Sequence, residues 1–129
     1  MVREFIECCS LNGEFNMKFL FIDDNGSWLV SVARALRANQ NVACVECHSV
    51  EGALSAVALH QPEVIFLDHH LTETGDEGFQ IADSVIAMGG SVKICSTTSD
   101  TYLSAQYRKR GIEMVGKTDL RGFRAIINQ

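Results

Sequence analysis

The sequence predicts a three-layer α/β domain built on a parallel, five-stranded sheet. Three observations carry this. Val64-Ile65-Phe66-Leu67 is a continuous apolar run with turn signals on both sides, Pro62 before it and the polar stretch 72–78 after it. Such a run reads as a strand buried on both faces. Lys18-Phe19-Leu20-Phe21-Ile22 repeats the pattern. Strand-like runs and helix-like segments then alternate five times, with no linker and no internal repeat. That alternation places helices on both faces of a parallel sheet, joined by right-handed crossovers.

In order, residues 1–16 have no clear periodicity; they hold Cys8, Cys9 and the turn-like Asn12-Gly13. They read as an N-terminal extension, and the domain proper as residues 17–129, with Met17 opening the first strand. That strand ends in Asp23-Asp24, and Asn25-Gly26 makes the turn. Ser27 is placed to cap a helix whose apolar face is Trp28, Leu29, Val32, Ala33 and Leu36. Asn39-Gln40-Asn41 breaks it, and Val42–Cys47 is a second β-favouring run. Val50, Ala53, Leu54, Val57 and Ala58 recur at three and four, so a second helix leads into the central strand. After the acidic, glycine-containing loop, Phe79, Ala82, Val85 and Ile86 mark a third helix, closed by Gly89-Gly90. A fourth strand, 91–95, runs into Ser96-Thr97-Thr98. A weakly amphipathic fourth helix spans 100–110, a fifth strand 112–115 runs into Gly116-Lys117, and Leu120, Phe123 and Ile127 give a last helix of about three turns.

Size and charge narrow the function. With 129 residues the chain is one domain, long enough to bury roughly two-thirds of its unfolded surface. A net charge of -5 gives no basic excess for direct nucleic-acid binding. No apolar run reaches membrane-spanning length and no signal-peptide pattern opens the chain, so the expectation is a cytoplasmic protein that does not engage a membrane. Five cysteines, an odd number on apolar segments, read as thiols in a reducing compartment.

The chemistry gathers at one edge. In a parallel sheet all C-terminal strand ends lie together, and ligands bind there. The residues just past those ends are Asp23, Asp24, Asp68, Ser96 and Lys117. Two carboxylates about 4 Å apart repel by roughly 4 kcal/mol at an effective dielectric near 20, and three push one another's pKa upward. Lys117 offsets one charge and a divalent cation would offset two more; carboxylate oxygens with water suit Mg2+. Mg2+, a lysine and a hydroxyl together suit a phosphoryl group, and one carboxylate can act as nucleophile and form an acyl phosphate.

From about Met17 to Gln129 this constellation resembles the response-regulator receiver domain of two-component signalling. Asp23-Asp24 matches the acidic pair, Asp68 in Phe66-Leu67-Asp68 the phosphoacceptor, Ser96 the hydroxyl residue, with Thr97 as its alternative, and Lys117 the lysine. The resemblance implies a flavodoxin-like sheet of order 2-1-3-4-5. It implies that Asp68 takes a phosphoryl group from a sensor histidine kinase or histidine phosphotransfer protein. It assigns Mg2+ to Asp23, Asp24, Asp68 and the main-chain carbonyl of His70. Ser96 would hydrogen-bond the phosphoryl oxygen, and Lys117 would pair with the carboxylate and then with the phosphate. Such a domain is a switch, not an enzyme with an external substrate; it catalyses only its own phosphorylation and dephosphorylation. The output partner would read the fourth helix, fifth strand and last helix. The family pattern is departed from at Thr118, where proline usually stands, at Met114, where the switch aromatic stands, and in the loop after Asp68. That loop lacks the family proline and reaches the glycine that opens the third helix, Gly78, two positions late. These departures bear on switching more than on phosphorylation. No residues follow the last helix for an output domain, so the chain reads either as a single-domain regulator or as an excised piece.

Several other patterns carry a second reading. Cys44-Val45-Glu46-Cys47-His48 fits a haem-attachment spacing, and Cys44, Cys47 and His48 could ligate zinc; a β-strand with small residues accounts for the same letters. His69 and His70 could ligate a transition metal beside Asp68, or form a loop pair with one ring over the pocket. Arg108, Lys109, Arg110, Arg121 and Arg124 make the C-terminal quarter basic, as a solvated face or as a docking surface for an acidic partner. Two rivals to the receiver reading are a receiver-like interaction module that is not regulated by phosphorylation and a Mg2+-dependent phosphohydrolase. The second needs an acid/base carboxylate two residues beyond the nucleophile, where His70 stands.

Overall fold

A computed structural model describes residues 2–8, 18–39, 41–73 and 75–128. The expected turn at Asn12-Gly13 and the start at Met17 lie outside the described residues, as does Gln40. The elements are β1 (Val2–Cys8), β2 (Phe19–Asp23), α1 (Gly26–Ala35), β3 (Val42–Cys47), α2 (Val50–His60), β4 (Val64–Leu67), α3 (Glu77–Ala87), β5 (Lys93–Ser96), α4 (Thr101–Lys109), β6 (Glu113–Met114) and α5 (Leu120–Ile127).

The sheet runs β1-β3-β2-β4-β5-β6. The strands β2 to β6 pair in parallel, and counted alone they have the order 2-1-3-4-5 of a flavodoxin-like sheet, as the sequence predicts. The N-terminal stretch adds a strand that was not expected. β1 lies antiparallel on the β3 edge, with Val2 opposite Cys47 and Cys8 opposite Val42. Its register shifts between Phe5 and Cys8, and a bulge of that kind lets a strand pair without strict alternation of apolar residues. That is why the segment shows no period of two in the sequence.

Strand alternation divides the core into two layers. Phe19, Phe21, Cys44, Val64, Phe66 and Cys95 face α1 and α5, where Leu29, Val32, Leu36, Phe123 and Ile127 meet them. Leu20, Ile22, Cys47, Ile65, Leu67 and Ile94 face α2, α3 and α4, against Ala53, Val57, Ile81, Val85 and Tyr107. Cys44 and Cys47 therefore lie on opposite faces of the sheet, which removes both the haem and the zinc reading of that motif: three residues apart on a strand, the two thiols cannot converge on one ion.

Local chemistry sets the helix ends. Asn25, not Ser27, caps α1, its side chain accepting from Trp28 N at 3.1 Å; the helix begins one residue before the serine expected to cap it. Ser49 caps α2 through Gly52 N at 3.0 Å. Gly89 and Gly90 follow α3 with φ of +72° and +142°, backbone that glycine adopts freely.

Candidate functional site

The C-terminal edge of the sheet brings together most of the residues singled out in the sequence. Asp23 is the last residue of β2 and Asp68 follows β4 directly. They are held in step because Phe66 and Leu67 pair with Phe21 and Ile22, and Asp68 N donates to Ile22 O at 3.0 Å. Phe21 and Phe66 stack beneath them at 4.4 Å between ring centroids, and Phe123 packs edge-on against both. This aromatic floor keeps water away from the carboxylates above it.

Asp23 is fully buried and Asp68 is 7% exposed. Asp23 Oδ1 accepts from Asn25 N at 2.8 Å. The Lys117 ammonium lies 2.8 Å from Asp23 Oδ2 and 3.5 Å from Asp68 Oδ1, so one cation bridges the two acids. Oxygens of Asp23, the half-buried Asp24 and Asp68 all lie within 4.8 Å of one another. Burial pushes the Asp68 carboxyl up to about 7, helped by the charge of Asp23 and opposed by Lys117. Burial also raises Asp23, against the lowering effect of Lys117 and Asn25. For Lys117 burial acts downward, but the two acids outweigh it and hold the ammonium above its ordinary range. The pocket thus has more negative charge than one lysine neutralises, in a setting that penalises charge.

The hydroxyl differs from the expectation. Leu67 pairs with Ser96, so Ser96 shares the face of Leu67 and points away from Asp68. Thr97 stands opposite Asp68, its N–H donating to Leu67 O at 2.9 Å. A cavity of about 290 Å3 is lined by Asp68, Thr97, Thr98, Ser99, Gly116, Lys117 and Thr118; Ser96 is not among them and is fully buried. Thr97 Oγ1 is buried with no hydrogen-bond partner among the described residues. The strand ends at Ser96, one residue later than expected, and in a period of two that one residue decides which hydroxyl faces the pocket.

Neither histidine covers the cavity. The His70 side chain is exposed, with Nδ1 against Gly75 O at 2.5 Å. His69 is fully buried, between Phe79 at 4.6 Å and Tyr107 at 5.5 Å between ring centroids. Its Nδ1 lies 2.5 Å from Tyr107 Oη and its Nε2 3.1 Å from Asp76 Oδ1. Burial lowers the imidazole, more than Asp76 raises it. Burial likewise raises the Tyr107 phenol, and a hydrogen bond with Ser96 only partly offsets this. Sequence reasoning missed Tyr107, the one buried residue of α4, because one buried side chain on a polar helix makes no stripe.

Part of the basic quarter is engaged. Arg110 grips Asp83 at 2.7 and 3.1 Å, and Arg124 donates to Ala35 O at 3.2 Å. Among the described residues no helix is long and apolar enough to cross a membrane.

No family model matches the sequence, and no curated protein does. Solved structures do match. Adenylate cyclase from Rhodopirellula baltica is 23% identical, with 88% of this chain and 85% of that chain covered and a TM-score of 0.71. The signal receiver domain of the putative response regulator NarL from Mycobacterium tuberculosis is 20% identical over 89% of this chain and 96% of its own, with a TM-score of 0.67. The receiver domain of NtrX from Brucella abortus is 17% identical over 85% of this chain and 93% of its own, also with a TM-score of 0.67. At these identities the likeness is one of fold, and that fold, reached here from strand order and from neighbours alike, is the response-regulator receiver fold.

Proposed function

We propose that the chain is a phosphorylatable receiver in a histidine-to-aspartate relay, with Asp68 as phosphoacceptor. A sensor histidine kinase or a histidine phosphotransfer protein supplies the phosphoryl group. An Asp68 carboxylate oxygen forms the new P–O bond as the P–N bond of phosphohistidine breaks, and the imidazole leaves with the electron pair. The observation that carries this reading is the Lys117 ammonium held between Asp23 and Asp68 at 2.8 and 3.5 Å, at the rim of a cavity large enough for a phosphoryl group.

The donor set fits Mg2+. Three carboxylates converge within 4.8 Å, and hard oxygen donors are what that ion takes. Asp23, Asp24, Asp68 and the main-chain carbonyl of His70 would hold it. When bound, Mg2+ neutralises charge on the phosphoryl oxygens. This chain's own residues do the rest. The aromatic floor excludes water from one side of Asp68. Lys117 pairs first with the carboxylate and then with the phosphoryl group. Thr97 takes the hydrogen-bonding role that the sequence suggested for Ser96, since its unpartnered hydroxyl is the one beside Asp68. The product is a modified protein, so the chain turns over no external substrate. An output partner would read α4, β6 and α5.

Incubation with acetyl phosphate and Mg2+, followed by intact-mass analysis, tests this. The expected result is a gain of one phosphoryl group that needs Mg2+ and is lost in base. A chain that stays unmodified while folded and Mg2+-bound would refute it.

A further inference from the structure

The loop between β4 and α3 holds a second group of ligand atoms, chemically unlike the acidic pocket. His69, His70 and Asp76 each offer one donor atom, and these atoms all lie within 4.8 Å of one another. We propose that these three side chains form a binding site for a borderline divalent transition metal such as Zn2+, separate from the site of Asp23, Asp24 and Asp68.

The hydrogen bonds support it. His70 Nδ1 faces the Gly75 carbonyl, which can only accept, so Nδ1 carries the proton and Nε2 of the neutral ring keeps its lone pair. His69 Nδ1 faces the Tyr107 hydroxyl, and that hydroxyl also bonds Ser96. The Tyr107 hydroxyl can donate or accept, and His69 Nε2 meets Asp76 Oδ1 at 3.1 Å. A bound metal takes the place of the proton shared between them, which leaves to solvent, and Nδ1–H then donates to Tyr107. Imidazoles whose other nitrogen donates to a fixed oxygen are the usual arrangement around bound zinc. Ligands of tetrahedral zinc lie about 3.3 Å apart for bond lengths near 2.0–2.1 Å, close to the separation of His69 Nε2 and Asp76 Oδ1. His70 is exposed, and its Nδ1 is held on the Gly75 carbonyl. A fourth position stays open to water.

The frame is rigid where it needs to be. Glu77 accepts from Leu71 N at 3.1 Å, Thr72 N at 3.3 Å and Thr72 Oγ1 at 2.9 Å. Gly78 N donates to His69 O at 2.8 Å. Asp76 immediately precedes α3, so a metal here ties the residue after Asp68 to the start of that helix. Two imidazoles and one carboxylate suit zinc, copper or nickel, whereas Mg2+ favours the all-oxygen set. The two sites therefore sort metals by donor type. The inference stands independently of phosphotransfer.

The test is a Zn2+ titration of the full chain against a chromophoric chelator, with Mg2+ in large excess. One equivalent of Zn2+ should bind with micromolar or tighter affinity and survive the Mg2+. His70→Ala and Asp76→Asn, both at exposed positions, should each weaken Zn2+ by at least about tenfold, and Asp76→Asn should keep Mg2+ binding. Asp68→Asn should leave Zn2+ binding unchanged. Cu2+ in place of Zn2+ should show coupling to two imidazole nitrogens, and to one in His70→Ala. Displacement of Zn2+ by Mg2+, its loss in Asp68→Asn, or indifference to both loop variants would overturn the proposal.

Discussion

Trp28 and Lys117 hold each other at two points. The indole Nε1 donates to the Lys117 carbonyl at 3.2 Å, and the Lys117 ammonium lies 5.2 Å from the centroid of the indole ring. The same ammonium bridges Asp23 and Asp68. Any ligand that draws Lys117 toward Asp68 therefore changes the field on the single tryptophan of the chain. Mg2+ with beryllofluoride, a mimic of the acyl phosphate, should change Trp28 fluorescence, and Asp68→Asn should abolish the beryllofluoride step. A full response in the Asn variant would place the ligand elsewhere.

The raised Asp68 carboxyl makes stability depend on pH. Its pKa is 3.8 in an ordinary carboxyl and about 7 here. Across that window the folded chain binds a proton that the unfolded chain has released, so without Mg2+ its contribution to stability falls as pH rises from 3.8 to about 7. Asp68→Asn removes that pH dependence. Each pKa unit corresponds to about 1.4 kcal/mol. The Asn variant should match the wild type near the lower end of the window and be more stable by at least about 1 kcal/mol at about pH 8 without Mg2+. Mg2+ should stabilise the wild type, as a ligand of the folded state does, and Asp24→Ala should lose that gain. Thermal melts at several pH values, with and without Mg2+, read all three.

Thr97→Ala and Ser96→Ala separate the two hydroxyls. A hydrogen bond to a charged group contributes about 1.5–3 kcal/mol. Thr97→Ala should weaken beryllofluoride binding by roughly ten- to a hundredfold, and Ser96→Ala should leave it near the wild-type value. The reverse order would return the role to Ser96.

Gly78 is needed for the packing of α3 on the loop after Asp68. A Cβ there would run into the Tyr107 hydroxyl and come within 2.7 Å of His69 Cα. Gly78→Ala should cost about 1–3 kcal/mol, the usual range for overpacking, and lower the melting temperature by several degrees. Tyr107→Phe in the same background should recover part of the loss by removing the nearest atom. No recovery would mean that the His69 backbone is the obstacle.

The sequence made the central edge of the fold legible for a physical reason. Phe19–Ile22 and Val64–Leu67 are buried on both faces, so their apolar runs are continuous and the first charged residue after each marks the strand end. Asp23 and Asp68 follow from that. Between Ser96 and Thr97 the sequence does not choose, because β5 opens on the exposed Lys93 and ends in polar residues, which leaves its register open by one position. β1 was hidden because its pairing includes a bulge. The pair of His69 and Tyr107 was hidden because the two residues stand 38 apart in sequence and neither belongs to a periodic stripe. The close approach of Tyr107 at Gly78 was a signal that only the structure could expose.

The most direct test of the account is peptide mapping of the acyl phosphate after treatment with acetyl phosphate and Mg2+, in the wild type and in Asp68→Asn. The account predicts one acid-stable, base-labile phosphoryl group on the peptide containing Asp68 and none in the Asn variant. Equal labelling of the Asn variant, or a phosphoryl group mapped to another residue of the folded wild type, would contradict it.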